Sequence, residues 1–309
     1  MLIKLYKLDQ TKTPLLDALM EYVNNNTVPF HVPGHKKGQG MWNEFKNFVG
    51  TNVLSMDVTV FKQVDSLHKP TGVIKAAQEL AADAYNTDYT FFSIHGTSGA
   101  IQAMVMSVVG PGEKIIIPRN VHKSVTAGII LSGASPVYMQ PEIDHTVGVA
   151  LNVTPETVEN ALEDNPDAKA VLIVNPTYYG VSTDIEKIVN IVHRYNIPLI
   201  VDEAHGPHLH FNSRLPISAV DAGADICSQS THKIIGSMTQ SSLLHVRKGF
   251  VDVNRVKTVL SLLQTTSPSY ILLASLDAAR KQMVIDGKEL LDNAIDVAEY
   301  TRDQINEID

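Results

Sequence analysis

Apolar and polar positions along this chain change period several times. "TPLLDALMEYVNNN" spaces its apolar residues three and four apart, which predicts an N-terminal helix. "VPFHVPGHKKGQG" has Pro, Gly, His and Lys with no period and predicts an arm or loop. "TGVIKAAQELAADAYN" predicts a strong amphipathic helix rich in Ala, Leu and Gln. The pattern then alternates. "YTFFSI", "KIIIP", "SPVYMQ", "AVLIVNPT", "IPLIVDEAH", "ADICSQS" and "SSLLHV" read as strands. "SGAIQAMVMSVV", "HKSVTAGIILSG", "TPETVENALEDN" and "DIEKIVNIVHRYN" read as helices between them. Thr154 is the expected N-cap of the third, with Pro155 at its first helical position.

Strands alternating with helices of about 10–15 residues predict βαβ units and a mainly parallel α/β sheet. The strands are continuous apolar runs, as required when both sheet faces are covered. Ligands of such sheets lie beyond the carboxyl ends of the strands. Asp202 and the loops after Ile94, Val174 and Ser228 occupy such ends. Beyond about residue 255 the pattern is helical. "KELLDNAIDVAEYTRDQINEID" keeps helical spacing to its end with no Gly or Pro to stop it, so a further C-terminal domain is expected. The organisation expected is an N-terminal helix and arm over 1–50, a large α/β domain over 51–265 and a helical continuation over 266–309.

Composition narrows the function. Of 309 residues, 44% are hydrophobic and 19% charged, ordinary globular values. The net charge of −8 comes with no strongly basic region. That argues against broad nucleic-acid binding and suits a cationic substrate. The single cysteine, Cys227, rules out an intrachain disulfide and suits a reducing cytoplasm. "MLIKLYKLDQTKTP" has no apolar signal core, and no apolar run reaches the roughly 18 residues of a membrane helix. A cytoplasmic protein without membrane partners is expected.

"LIVDEAHG" raises a question of chemistry. DEAH is also a helicase tetrapeptide, in which the acids serve Mg²⁺ and ATP hydrolysis. That chemistry needs a G-x-x-x-x-G-K-[ST] loop to cradle phosphates. "HGTSGAIQ" lacks the Lys, and "PGEKIII" has the wrong spacing. The helicase reading is therefore set aside. "CSQSTHKIIGS" offers another partner, Lys233, 31 residues after Asp202. An imine-forming lysine needs a crowded, partly desolvated setting that presents the neutral amine. Ser228, Ser230, Thr231 and His232 supply short donors beside it. Lysine plus a strand-end aspartate is the pair that pyridoxal phosphate chemistry requires. "FFSIHGTSGAIQAM" puts Gly96, Thr97, Ser98 and Gly99 between a strand and a helix, a generic phosphate pocket. Each motif alone has an ordinary structural explanation; three in this order on one sheet point to a cofactor site. "HGPHLH" contains His205, His208 and His210, but no Cys or further pair accompanies them, so no metal site is expected.

These segments, with "HVPGHKKG", "PRNVHKSV", "VNPTYYG", "STHKIIGSMTQSS" and "QTTSPSY", make the chain resemble the bacterial Orn/Lys/Arg decarboxylases. The likeness runs from Phe30 to Tyr270 and is nearest to the short biosynthetic arginine decarboxylase type; the N-terminal wing domain of the long acid-induced members is not expected here. It implies a fold type I pyridoxal-phosphate enzyme, with a seven-stranded-type sheet sandwiched by helices and an N-terminal arm. It implies that Lys233 carries pyridoxal 5'-phosphate, Asp202 pairs with the ring nitrogen, and His122 stacks on the ring. It implies that Gly96, Thr97, Ser98, Ser230 and His232 hold the phosphate and Ala204 packs behind the ring. It implies a homodimer or higher oligomer with shared sites, in which Thr266 or Ser267 reaches a neighbour's phosphate. The implied reaction is decarboxylation of a basic amino acid for polyamine biosynthesis. Arginine, giving agmatine, is the first choice, then lysine, then ornithine. In many long relatives an aromatic residue stands at the place of His205. An aminotransferase or a lyase on the same fold is the alternative from another class.

Overall fold

The computed structural model describes residues 6–308. Residues 1–5, the head of the expected N-terminal segment, and residue 309 lie outside the described residues. Helix α1 (Pro14–Asn24) is followed by an irregular arm and two short helices, α2 (Asn43–Val49) and α3 (Thr51–Met56), which no periodicity announces. Helix α4 (Val73–Ala84) leads into strand β1 (Tyr89–Ser93). Then follow α5 (Gly96–Val108), β2 (Lys114–Pro118), α6 (Lys123–Ser132) and β3 (Ser135–Met139). A small hairpin, β4 (Ile143–Asp144) with β5 (Val149–Ala150), precedes α7 (Pro155–Asp164). The expected N-cap is present: Thr154 accepts from the Thr157 N–H, with Pro155 beginning the helix.

The chain continues through β6 (Ala170–Val174), α8 (Ile185–Arg194), β7 (Leu199–Asp202) and the one-turn α9 (Ala219–Ala222). It then forms β8 (Ile226–Gln229), the one-turn α10 (Thr231–Ile234) and β9 (Ser242–Val246). Helices α11 (Val253–Leu263), α12 (Tyr270–Ile285) and α13 (Gly287–Asn306) close it.

Seven strands form one sheet in the order β1-β9-β8-β7-β6-β2-β3. The four pairs from β8 to β3 are parallel, while β9 runs antiparallel to both β8 and β1. The physical reason lies in the link: α10 is a single turn, too short to carry the chain back across the sheet for a parallel pairing. Because β1 opposes β9 and β9 opposes β8, the carboxyl ends of β1, β8, β7 and β6 share one edge.

Side chains alternate between two cores, as period two demands. Ile115, Ile117, Leu172, Ile200, Ile226 and Leu244 face α5, α6 and α11. Ile116, Val171, Ile173, Val201 and Cys227 face α7 and α8. Each such aliphatic side chain stabilises the fold by about 1.5–3 kcal/mol. The first segment is strapped to α12. Arg280, 1% exposed, donates to the Gln10 carbonyl at 2.6 Å and pairs with Asp277 at 2.8 Å. Asp277 in turn accepts from the Leu15 N–H at 3.0 Å. Among the described residues no helix is long and apolar enough to cross a membrane.

Candidate active site

Strand β7 ends in Asp202 because the apolar run Leu199–Val201 stops at the sheet's carboxyl edge. Asp202 is only 3% exposed. Its Oδ1 accepts from the Ala204 N–H at 3.1 Å, and among the described residues Oδ2 accepts nothing. Burial pushes its carboxyl up to about 6, against the pull of that N–H and of the Lys233 charge. Asp202 sits opposite Ser228 in the parallel register, and the buried Ser228 hydroxyl has no hydrogen-bond partner.

Lys233 does not lie in a loop. It belongs to α10, and it is exposed rather than crowded, so the desolvated setting expected of it is absent from the single chain. Its Nζ meets His205 Nε2 at 3.1 Å. Ser230, which precedes the turn, accepts the Lys233 N–H at its carbonyl, 3.1 Å away, and donates its own N–H to the Ala204 carbonyl at 3.3 Å. Backbone bonds therefore couple the Asp202–Ala204 turn to the lysine turn.

The Gly96–Gly99 stretch is not a loop ahead of a helix; it is the first turn of α5. Gly96 has φ +66 and donates to the Gln240 carbonyl at 2.8 Å. A Cβ on Gly99 would stand 2.8 Å from the His95 Cβ, so only glycine fits. Thr97 Oγ1 bonds to Ser230 Oγ and, at 2.7 Å, to Ser242 Oγ. Ser98 is exposed beside it. His232 Nδ1 contacts the Ser241 carbonyl at 2.8 Å. A helix start of 13 residues, three clustered hydroxyls and a cationic lysine turn suit a phosphate.

His122 is the N-cap of α6. Its Nδ1 accepts from the Ser124 N–H at 3.2 Å and contacts Ser124 Oγ at 2.7 Å. Burial and then the charges of Lys233 and Lys123 hold its basicity below the ordinary histidine value. Burial and Lys233 do the same to His205. Both shifts favour the neutral imidazole.

Thr266 is not gathered with these groups. Its stretch is tied instead to His68, whose Nε2 contacts the Thr265 carbonyl at 2.8 Å. The histidines of "HGPHLH" also part company. His205 meets Lys233, His210 meets Asp221 at 2.7 Å, and His208 is lowered to about 4 by burial. Among the described residues no group of three or more His, Cys, Asp or Glu could hold a metal ion.

Three groups escaped the sequence reading. The Tyr178 ring stands edge-on to His205, with centroids 5.7 Å apart. Ser242 joins Thr97, and Gln229 donates to Glu203 at 2.8 Å. Tyr178 had a signal, since "VNPTYYG" follows a strand end. Ser242 and Gln229 had none, because strand pairing alone brings them in.

Comparison with known proteins agrees with this geometry. The model of the family described as "Orn/Lys/Arg decarboxylase, major domain" matches residues 13–309. An arginine decarboxylase of Bacillus anthracis is 54% identical over 305 residues, covering 99% of this chain and 62% of that protein. One from Bacillus subtilis (strain 168) is 51% identical over 302 residues, covering 98% of this chain and 62% of that protein. This chain thus spans a little under two thirds of their length. The crystal structure of a Francisella novicida lysine decarboxylase superposes with a TM-score of 0.84 at 25% identity, covering 96% of this chain and 44% of that one. A serine palmitoyltransferase of Sphingomonas wittichii, 15% identical with a TM-score of 0.58, shares the fold. By the family match, by identity above one half to its arginine-decarboxylase members and by the aspartate–lysine edge, the chain belongs to the Orn/Lys/Arg decarboxylase family.

Proposed function

We propose that the whole protein is a carboxy-lyase that uses pyridoxal 5'-phosphate to decarboxylate arginine to agmatine. The observation that carries this is a buried carboxylate, Asp202, with an unengaged oxygen at the same sheet edge as Lys233, in a chain 51–54% identical to arginine decarboxylases. The residues fit the cofactor. A buried acid with one oxygen that accepts nothing among the described residues matches a protonated ring nitrogen, and the orphan Ser228 hydroxyl beside it leaves polar capacity unused. When bound, the cofactor supplies an electron sink for the pair released as the Cα–carboxylate bond breaks.

In this reading Lys233 would hold the cofactor. Asp202 holds the ring nitrogen protonated, since an opposite charge in a water-poor site favours the charged form. Ala204 and the His122 imidazole would flank the ring. Gly96, Thr97, Ser98, Ser230 and His232 would hold the phosphate. The chain's net charge of −8 favours a cationic substrate. Exposed Phe30, Trp42 and Phe48 on the N-terminal segment suit burial by a second copy, so a homodimer sharing its sites, with Thr266 reaching the neighbour, completes the reading. The single buried Cys227 fits a cytoplasmic setting, and agmatine production fits polyamine biosynthesis.

The test is CO₂ release by the full-length protein from arginine, lysine and ornithine. Release from arginine is expected. Release from lysine or ornithine alone would change the substrate, and release from none would favour an aminotransferase or another lyase.

A further inference from the structure

The roles above leave Glu203 without a task. Its carboxylate is fully buried and belongs to the sheet face opposite Asp202, because neighbouring strand positions alternate. Oε1 accepts from the Ala219 N–H at 2.6 Å, and Oε2 accepts from Gln229 Nε2 at 2.8 Å. The Cys227 thiol adds a weak donor at 3.9 Å. Gln229 Oε1 meets His245 Nε2 at 3.1 Å, and His245 Nδ1 meets Thr90 Oγ1 at 2.8 Å. Glu203, Gln229, His245 and Thr90 come from β7's end, β8, β9 and β1, and all are at most 3% exposed. A polar ladder thus crosses four strands beneath the site.

The ladder has a direction. Burial lowers His245 to about 3, so the ring is neutral and carries one N–H. Thr90 then donates to His245, His245 to Gln229 and Gln229 to Glu203. Every dipole points towards the Glu203 carboxyl group, an arrangement in which hydrogen bonds reinforce one another. The turn that Glu203 begins carries Ala204 and His205. It closes through the Gly206 N–H to the Glu203 carbonyl at 2.9 Å, and a Cβ on Gly206 would stand 2.5 Å from the Glu203 Cγ. The side chain and the turn are therefore packed as one unit.

We infer that Glu203 is a positioning residue, clamping the Asp202–His205 turn from the far face of the sheet so that Asp202 and His205 meet the cofactor and Lys233. This rests on the cofactor reading given above. An amide at this place can keep the clamp. If Gln229 turns its amide over and the His245 proton moves to Nδ1, the ladder donates in the opposite direction with every partner satisfied. Alanine cannot do this and leaves the Ala219 N–H and Gln229 Nε2 unpaired.

The experiment titrates full-length apoprotein with pyridoxal 5'-phosphate, following visible absorbance, and measures thermal unfolding alongside. Glu203→Ala should weaken cofactor binding by about tenfold or more, the size of one buried hydrogen bond left open, and alter the bound spectrum. Glu203→Gln should stay within about threefold of wild type. Gln229→Leu, which cuts the ladder one strand away, should weaken binding in the same direction as alanine, and it decides the matter if Glu203→Ala does not fold. A lower unfolding temperature with unchanged affinity and spectrum in Gln229→Leu and Glu203→Ala would overturn the inference. So would a glutamine variant as weak as alanine. Wild-type protein that takes up no cofactor would instead overturn the cofactor reading, and this inference with it.

Discussion

Lys233 Nζ stands 3.1 Å from His205 Nε2, and the same imidazole takes the edge of the Tyr178 ring. The lysine of one strand end and the DEAH histidine of its neighbour therefore share a hydrogen bond. Lys233→Ala should abolish both turnover and borohydride-fixed cofactor, while steady activity would refute its role. His205→Phe should slow cofactor fixation at Lys233 by about tenfold at neutral pH. Asp202, His122 and His205 all feel the Lys233 charge. Because His205 is neutral above its lowered pKa, the defect should be full at neutral pH and shrink in acid, where wild-type His205 is also protonated. An unchanged rate and profile would remove His205 from the site.

Asp202→Asn keeps the shape and removes the charge. An opposite charge moves a partner's acidity by about one to three pKa units, so turnover should fall by about tenfold to a thousandfold. Part of the cofactor should remain bound, as read from its visible absorbance. Wild-type turnover in this variant would sink the pairing with the ring nitrogen.

Glu203 and Asp202 make cofactor-free stability depend on pH. Burial raises Glu203 from 4.5 to about 8 and Asp202 from 3.8 to about 6. Below the unfolded values both states are protonated and nothing is lost. As pH rises through those values, the unfolded chain releases protons that the folded chain retains, so stability falls until about pH 8. The urea midpoint of the apoprotein should decline over this range, and less steeply in Glu203→Gln. A flat profile in wild type would contradict the burial of Glu203.

Arg280 and Asp277 form a buried pair that ties Gln10 and Leu15 to α12. Arg280→Ala leaves the Asp277 charge buried alone and should cost about 3–5 kcal/mol in urea unfolding. A loss below about 1 kcal/mol would mean that the strap contributes little.

Much of the fold is legible in the sequence because both faces of a parallel sheet must be covered. Strands such as "KIIIP" and "AVLIV" are apolar throughout, and amphipathic runs such as "IEKIVNIVHR" alternate with them. Local chemistry likewise marks the start of α7 through Thr154 and Pro155. The reversal of β9 and the β4–β5 hairpin were not legible, since neither leaves a periodic signal. The helical state of Gly96–Gly99 was hidden by glycines that favour turns; it depends on tertiary contacts such as the Gly96 N–H to the Gln240 carbonyl.

By itself, then, the sequence determined the layered α/β architecture and the placing of Asp202 at a strand's carboxyl end. Periodicity and composition act locally and survive without knowledge of partners. The tertiary structure alone decided which groups meet: Lys233 with His205, Thr97 with Ser242, and Glu203 with Gln229, His245 and Thr90 across four strands. Those contacts join residues up to 155 positions apart, and strand order, which no local pattern encodes, sets them.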